Sequence, residues 1–114
     1  MATDPDATLT GLEYHVLLAV AHGPLHGYAI RDAMEADSRG ALSPRAGSLY
    51  RVIARLTSAG LLAEIHAPDP GPHPGRERRY YALTAEGRGA LADEAQRWKG
   101  AVALAERRLG RGSS

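Results

Sequence analysis

Residues 68–75 constrain the fold most strongly, because four prolines and two glycines fall within these eight positions. Proline offers no amide hydrogen to a helix or an inner strand, so this segment is predicted to be a loop. It separates two short stretches, 61–67 and 78–84, in which apolar and polar residues alternate as in strands. The pattern therefore predicts a β-hairpin. The residues expected on its inner face are Leu61, Ala63, Ile65, Tyr81 and Leu83.

Before the hairpin, apolar residues recur every three or four positions, which is the spacing of helices that bury one face. A first helix is predicted from about residue 9 to the glycine–proline break at 22–24, with Thr8 or Thr10 as its cap. A second helix is predicted over residues 27–37. The polar stretch 1–8 has no basic residue and is predicted to be a flexible tail rather than a signal peptide.

A third helix is predicted to begin at Ser43 and Pro44, as N-cap and first helical residue, and to end before Gly60. Its core-facing stripe is predicted to be Leu49, Val52, Ile53 and Leu56. Three short helices followed by a hairpin predict a mainly α fold with a small β-hairpin. This is the layout of a winged helix-turn-helix.

The side of the third helix away from its apolar stripe has the composition of a DNA-recognition surface. Arg45 or Arg51 is predicted to read guanine with two guanidinium donors, whereas Arg55 is predicted to hold the DNA backbone. An ordinary surface helix is the alternative. The predicted DNA-binding residues are Arg45, Ala46, Gly47, Ser48, Tyr50, Arg51 and Arg55 in the helix, with Arg76, Arg78 and Arg79 in the hairpin.

Charge is distributed unevenly along a chain whose net charge is only +1. Residues 1–40 carry −4, residues 41–82 carry +3 and residues 83–114 carry +2. Thirteen of the fourteen cations are arginine, which a GC-rich genome alone would explain, so their positions rather than their number indicate anion contact.

Several classes of function are not expected from this composition. The absence of cysteine excludes disulfides and thiolate metal sites. Since no nucleophile–base pattern or phosphate-binding glycine loop is present, neither an enzyme, a metal site nor a cofactor is expected. The longest strongly apolar run is far shorter than the ~20 residues of a membrane helix, so a soluble cytoplasmic protein without membrane contact is expected.

A long last helix is predicted after Thr84, its expected N-cap. Its apolar positions step by four and three residues, which is the period of a helix that packs along another helix. Only 29 of the 114 residues are large and apolar, so burial in a dimer is expected. A helix folded back on its own domain is the alternative. The predicted dimer interface is Leu91, Ala95, Trp98, Val102, Ala105 and Leu109.

Four ordered segments of this chain, spread over about residues 9–109, resemble PadR-like transcriptional regulators. They are Leu-His-Gly-Tyr-Ala-Ile at 25–30, Gly-Ser-Leu-Tyr-Arg-Val-Ile-Ala-Arg-Leu at 47–56, Gly-Leu-Leu at 60–62, and Arg-Tyr-Tyr-Ala-Leu-Thr at 79–84 with Gly87. The resemblance implies a homodimeric winged-helix repressor of the short subfamily, with a single C-terminal dimerisation helix. Expected regions are a winged helix-turn-helix domain over 9–84, a dimerisation helix over 85–110 and a flexible tail over 111–114.

The resemblance also implies an effector site, because some short members bind planar aromatic compounds between tryptophans at the dimer interface. Trp98 occupies the corresponding place, with Ala95 and Val102 beside it. A tryptophan that simply fills the interface is the alternative. The function expected is a ligand-responsive repressor that binds double-stranded DNA at a palindromic operator. The alternative from another class is a protein-interaction module whose basic surface docks an acidic partner protein.

Overall fold

The computed structural model describes residues 8–68 and 77–110. The predicted tails, apart from residue 8, and most of the proline-rich segment lie outside these residues. The hairpin after three helices is confirmed, and so is the long last helix. The helices are α1 Gly11–Ala19, α2 Gly27–Asp37, α3 Ala46–Ser58 and α4 Ala85–Leu109; the strands are β1 Leu25–His26, β2 Leu62–Pro68 and β3 Glu77–Leu83.

Helix α1 begins with a reciprocal cap, and its cap is Thr10 rather than Thr8. The Thr10 hydroxyl accepts from the Glu13 N–H at 3.1 Å, and the Glu13 carboxylate accepts from the Thr10 N–H at 2.9 Å. This reciprocal cap provides hydrogen-bond acceptors for two backbone amides that have no partner inside the helix. It also fixes Glu13 in one orientation.

The predicted start of α3 at Ser43 and Pro44 is wrong. The helix begins at Ala46, its N-cap is Arg45, and no side chain caps it. The Ser43 hydroxyl instead donates to the Glu35 carboxylate of α2 at 3.1 Å, so it is not available to a helix amide. The predicted end is confirmed, since Gly60 follows the helix in the left-handed conformation with φ +81°.

The sheet has three strands rather than two, in the order β1-β3-β2. Strand β1 has only two residues, too few to show an alternation of apolar and polar side chains in the sequence. It pairs with β3, where Leu25 lies opposite Tyr81. In β2 the predicted inner face is wrong. Leu62 is the buried residue at 2% exposure, whereas Ile65 is 41% exposed. Leu62 lies opposite Leu83 at the base of the hairpin, beside the core. The rest of the hairpin extends away from the core.

The core lies between α1, α2, α3 and the base of the sheet. The predicted α3 stripe is buried in full, and Tyr81 closes the core from β3. Among the described residues, no helix combines the length and apolarity that a membrane-crossing segment requires. The buried apolar residues are Val16, Leu17, Val20, Ile30, Met34, Leu49, Val52, Ile53, Leu56, Leu62 and Tyr81.

Helix α4 starts at the predicted cap, where the Thr84 hydroxyl accepts from the Gly87 N–H at 2.9 Å. The same hydroxyl donates to the Gly60 carbonyl at 2.7 Å, which joins the start of α4 to the end of α3. Gly87 itself lies against the Leu61 carbonyl, where no side chain would fit. The beginning of α4 is therefore fixed to the domain by the Thr84 hydroxyl and by the close approach of Gly87 to the Leu61 carbonyl.

Candidate nucleic-acid interface

Helix α3 presents two distinct faces, as the apolar spacing predicted. While its stripe is buried, the predicted contact residues are exposed except for Ser48, which is half-buried. Arg45 stands at the N-cap and Arg51 lies one turn and a half further along the same helix. Arg51 is therefore exposed on the side of α3 opposite the core, where a groove of DNA would be approached. Arg45 is exposed at the start of the helix, four residues before buried Leu49, and not on that opposite side.

Arg55 has a structural partner that the sequence did not indicate. Its Nε donates to the Glu13 carboxylate at 2.9 Å, which ties the end of α3 to the cap of α1. Burial raises the pKa of Glu13, but the Thr10 amide and the Arg55 guanidinium outweigh burial and hold that pKa below its usual value. With its side chain still 56% exposed, Arg55 keeps donors for a phosphate, so its DNA contact stays a prediction.

The exposed side of α3 continues into a groove between the start of α2 and strand β3. The groove has a volume of about 350 Å³. Tyr50 is 47% exposed there and Tyr28, at the start of α2, is 72% exposed. Tyr28 is not among the predicted contact residues, although it follows Gly27 in a segment that carries the family resemblance. The lining residues are His26, Gly27, Tyr28, Tyr50, Arg78, Arg79 and Tyr81.

The start of α2 that borders this groove is capped by a histidine. His26 Nδ1 accepts from the Ala29 N–H at 3.3 Å, so the imidazole provides a partner for one of the free amides at the start of the helix. Sequence analysis missed this cap because histidine is not among the residues that usually occupy the position.

The two neighbouring arginines of β3, Arg78 and Arg79, lie in different surroundings. Arg79 Nε donates to the Glu64 carboxylate across the hairpin at 3.2 Å, so part of its charge is compensated within the sheet. Burial and the Glu64 carboxylate raise the pKa of Tyr81, which lies beside this pair. Arg78 is half-buried at the rim of the groove. Arg76 lies outside the described residues, so the predicted contacts of these three arginines stay predictions.

The predicted seam of α4 is divided between two environments. Leu91 packs against the core, and the Trp98 indole stacks on the Tyr14 ring of α1 with centroids 3.9 Å apart. Beyond Trp98 the apolar residues face solvent, with Val102 56% and Leu109 71% exposed. The folded-back alternative therefore describes the inner half of the helix. The outer half has the exposed apolar face that the dimer hypothesis requires.

Glu94 anchors the inner half of α4 and was not singled out from the sequence. It is 4% exposed and accepts from the Leu9 N–H at 3.3 Å, from Arg97 Nη2 at 2.6 Å and from Trp98 Nε1 at 2.8 Å. Burial raises its pKa, but these donors, Arg97 foremost, outweigh burial and hold the pKa below 4.5. The carboxylate thereby fixes the indole and joins α4 to the segment before α1.

Glu94→Gln is expected to lower the free energy of unfolding at pH 7 by about 1–3 kcal/mol, because four N–H donors, two of them on Arg97, lose a charged acceptor. The folded-state pKa is depressed, so this stabilisation is present above 4.5 and is lost as pH falls through the folded value. Urea unfolding at pH 7 and at successively lower pH measures it, and the two proteins should converge in acid. Asp93→Asn, an exposed neighbour, is the control. A pH-independent difference would contradict the role of the charge.

Three helices, a small antiparallel sheet and a long C-terminal helix define a winged helix-turn-helix protein. The chain belongs to the transcriptional regulator PadR-like family, whose model matches residues 16–93. The fold class inferred from the sequence and the family resemblance are both confirmed.

The chain is similar in sequence to a protein of Streptomyces fradiae and in fold to several solved structures. A 37.1 kDa protein in transposon TN4556 of Streptomyces fradiae is 45% identical over 80 residues, which are 70% of this chain. The chain spans only 21% of that protein's length. A PadR family transcription regulator from Clostridium difficile R20291 superposes with a TM-score of 0.72 and 22% identity, covering 86% of this chain and 97% of the other.

Another solved structure contains nucleic acid. Bacillus subtilis PadR in complex with operator DNA matches with a TM-score of 0.62 and 24% identity. The match covers 72% of this chain and 45% of that one. At this level of identity the likeness concerns the fold.

Proposed function

We propose that this member of the family is a ligand-responsive repressor that binds a palindromic operator as a homodimer, with α3 of each protomer in a major groove. The observation that carries the proposal is the exposed polar face of α3, where Arg51 lies opposite a fully buried stripe and Arg45 is exposed at the start of the helix. The operator complex of Bacillus subtilis PadR supports the same use of this fold. Half-sites about 34–36 Å apart, one helical turn of DNA, are expected.

The homodimer is proposed from the outer half of α4. Val102 and Leu109 belong to the predicted seam and are largely exposed, and Leu104 beside them is 38% exposed. A chain with so few large apolar residues gains stability when such a face is covered by a second copy. The predicted interface residues Leu91 and Trp98 contact their own domain. We therefore expect only the part of their side chains that remains exposed to contribute to a dimer.

The effector is proposed to be a flat aromatic molecule that stacks on Trp98 near Ala95 and Val102. Since Tyr14 covers one face of the indole, the ligand would use the other. A cationic ligand is favoured by the free face of the indole, since the electron-rich face of tryptophan attracts cations. Titration with a planar cationic dye should quench tryptophan fluorescence in a saturable way. Absence of saturable quenching in an intact dimer would contradict the site.

DNA binding itself is tested with the unmodified protein and genomic fragments, including DNA upstream of its own gene. Selective retention of a few fragments with two-fold symmetric sequences is expected. Affinity should fall with salt in proportion to the phosphates contacted, with a logarithmic slope of about 0.9 for each. If no fragment is retained above background while an acidic protein is bound, the chain is an interaction module instead.

A further inference from the structure

Gly27 and Tyr50 make a contact that neither the family match nor the predicted DNA contacts explain. Gly27 is the first residue of α2 and is buried. The Tyr50 ring of α3 lies directly on it, so close that the hydroxyl occupies the place a Cβ would take. A Cβ at Gly27 would also lie 2.9 Å from the Tyr50 Cζ and 3.1 Å from its Cε1. Only glycine at this position allows the ring its observed orientation.

The first position of α1 provides a direct comparison. Gly11 is likewise the first residue of its helix, yet a Cβ there would meet nothing within 4 Å. Neither position requires glycine for its backbone conformation, because neither Gly11 nor Gly27 has a positive φ. The first position of a helix therefore does not itself call for glycine in this protein. At residue 27 the requirement comes from the tyrosine.

The contact orients the Tyr50 hydroxyl. Within the described part of the chain, the Tyr50 hydroxyl makes no hydrogen bond, while the ring borders the groove that Arg79 and Tyr28 also line. A hydroxyl beside an arginine at the edge of a recognition helix is suited to donate to a DNA phosphate. Its orientation before binding matters, because a preorganised side chain loses less entropy in the complex.

We infer that Gly27 is a positioning residue for DNA recognition: it holds the Tyr50 hydroxyl where it can donate to a phosphate of the operator. The inference rests on the proposed function. The obstacle to a Cβ is the end of a half-exposed side chain, which can turn away, and not backbone. A methyl group at Gly27 should therefore displace Tyr50 and weaken DNA binding while the fold is retained.

The experiment compares Gly27→Ala with Gly11→Ala, the same change at the same helical position. On the fragment that the unmodified dimer retains, Gly27→Ala should weaken binding about tenfold or more, as expected for loss of a hydrogen bond to a charged group. Gly11→Ala should leave binding within about twofold, since its Cβ meets nothing. The thermal unfolding midpoint of Gly27→Ala should stay close to that of the unmodified protein, which a purely structural role would not allow.

A double-mutant cycle shows whether the effect passes through the tyrosine. Tyr50→Ala alone should weaken binding, and adding Gly27→Ala should then have no further effect. Full affinity in Gly27→Ala, or an undiminished loss in the Tyr50→Ala background, would overturn the inference while leaving the proposed function intact. If the unmodified protein retains no DNA, the proposed function fails and the inference fails with it.

Discussion

Arg51→Ala is expected to weaken operator binding at least about 30-fold, because the predicted bidentate contact with guanine would be worth about 1–3 kcal/mol and would be lost in both protomers of the proposed dimer. Arg51 is the exposed arginine in the middle of α3, and the buried stripe fixes its direction toward solvent. Titration of a labelled operator fragment at constant salt measures the loss. Specificity should fall more than total affinity, since phosphate contacts elsewhere remain.

Two further variants separate base reading from simple charge attraction. Arg51→Lys keeps the charge but loses the planar fork, so it should bind nearly as weakly as Arg51→Ala. Arg108→Ala removes the same charge from the last turn of α4, far from α3, and should change affinity by less than about threefold. Equal losses in Arg108→Ala and Arg51→Ala would show that α3 does not read bases through Arg51.

Gly87→Ala is expected to destabilise the fold by about 1–3 kcal/mol, a cost typical of overpacking. Its Cβ would collide with the Leu61 carbonyl and approach Leu83 Cδ1 at 2.8 Å. Leu61 is held by backbone hydrogen bonds to Leu56 and Thr84, so the obstacle cannot turn away as the Tyr50 ring can. Urea unfolding should show a lower midpoint with little change in slope.

Gly89→Ala, two residues further along α4, is the matched control. A Cβ there meets nothing within 4 Å, and alanine favours a helix over glycine by up to about 1 kcal/mol. The two substitutions are chemically identical and should change stability in opposite directions. Destabilisation by both would indicate that α4 tolerates no change near its start, and stabilisation by both would contradict the close approach at Leu61.

The sequence predicted correctly those features that depend on residues close to one another in the chain. The α3 stripe, the Thr84 cap and the left-handed Gly60 each depend on residues within one or two turns, and each is observed. The start of α3 was misplaced because Ser43 bonds to Glu35 in another helix. Strand β1 was missed because its two residues become a strand only through pairing with β3.

The least predictable features join residues distant in the chain. Glu13 and Arg55 are 42 positions apart, so nothing local distinguishes this pair from solvated charges. Glu94 resembles a surface residue in a polar stretch, and one of its hydrogen-bond donors, the Leu9 amide, lies 85 positions away. For the candidate interface, the faces of α3 could be predicted, whereas the contact between Gly27 and Tyr50 required the packing of α2 against α3.

Contacts between α4 and the region around α1 make the domain and the inner half of its long helix move as one rigid unit. The Leu9 amide bonds to Glu94, Tyr14 stacks on Trp98, and Arg88 Nη2 donates to the Ala21 carbonyl at 3.4 Å. A helix of 25 residues is about 38 Å long, and with its inner half clamped a change in its direction carries the whole domain with it. In a dimer joined through the outer halves, a change in the angle between the two α4 helices would displace each recognition helix relative to the DNA. Small rotations at the two-fold axis would thus decide whether both half-sites are reached at once.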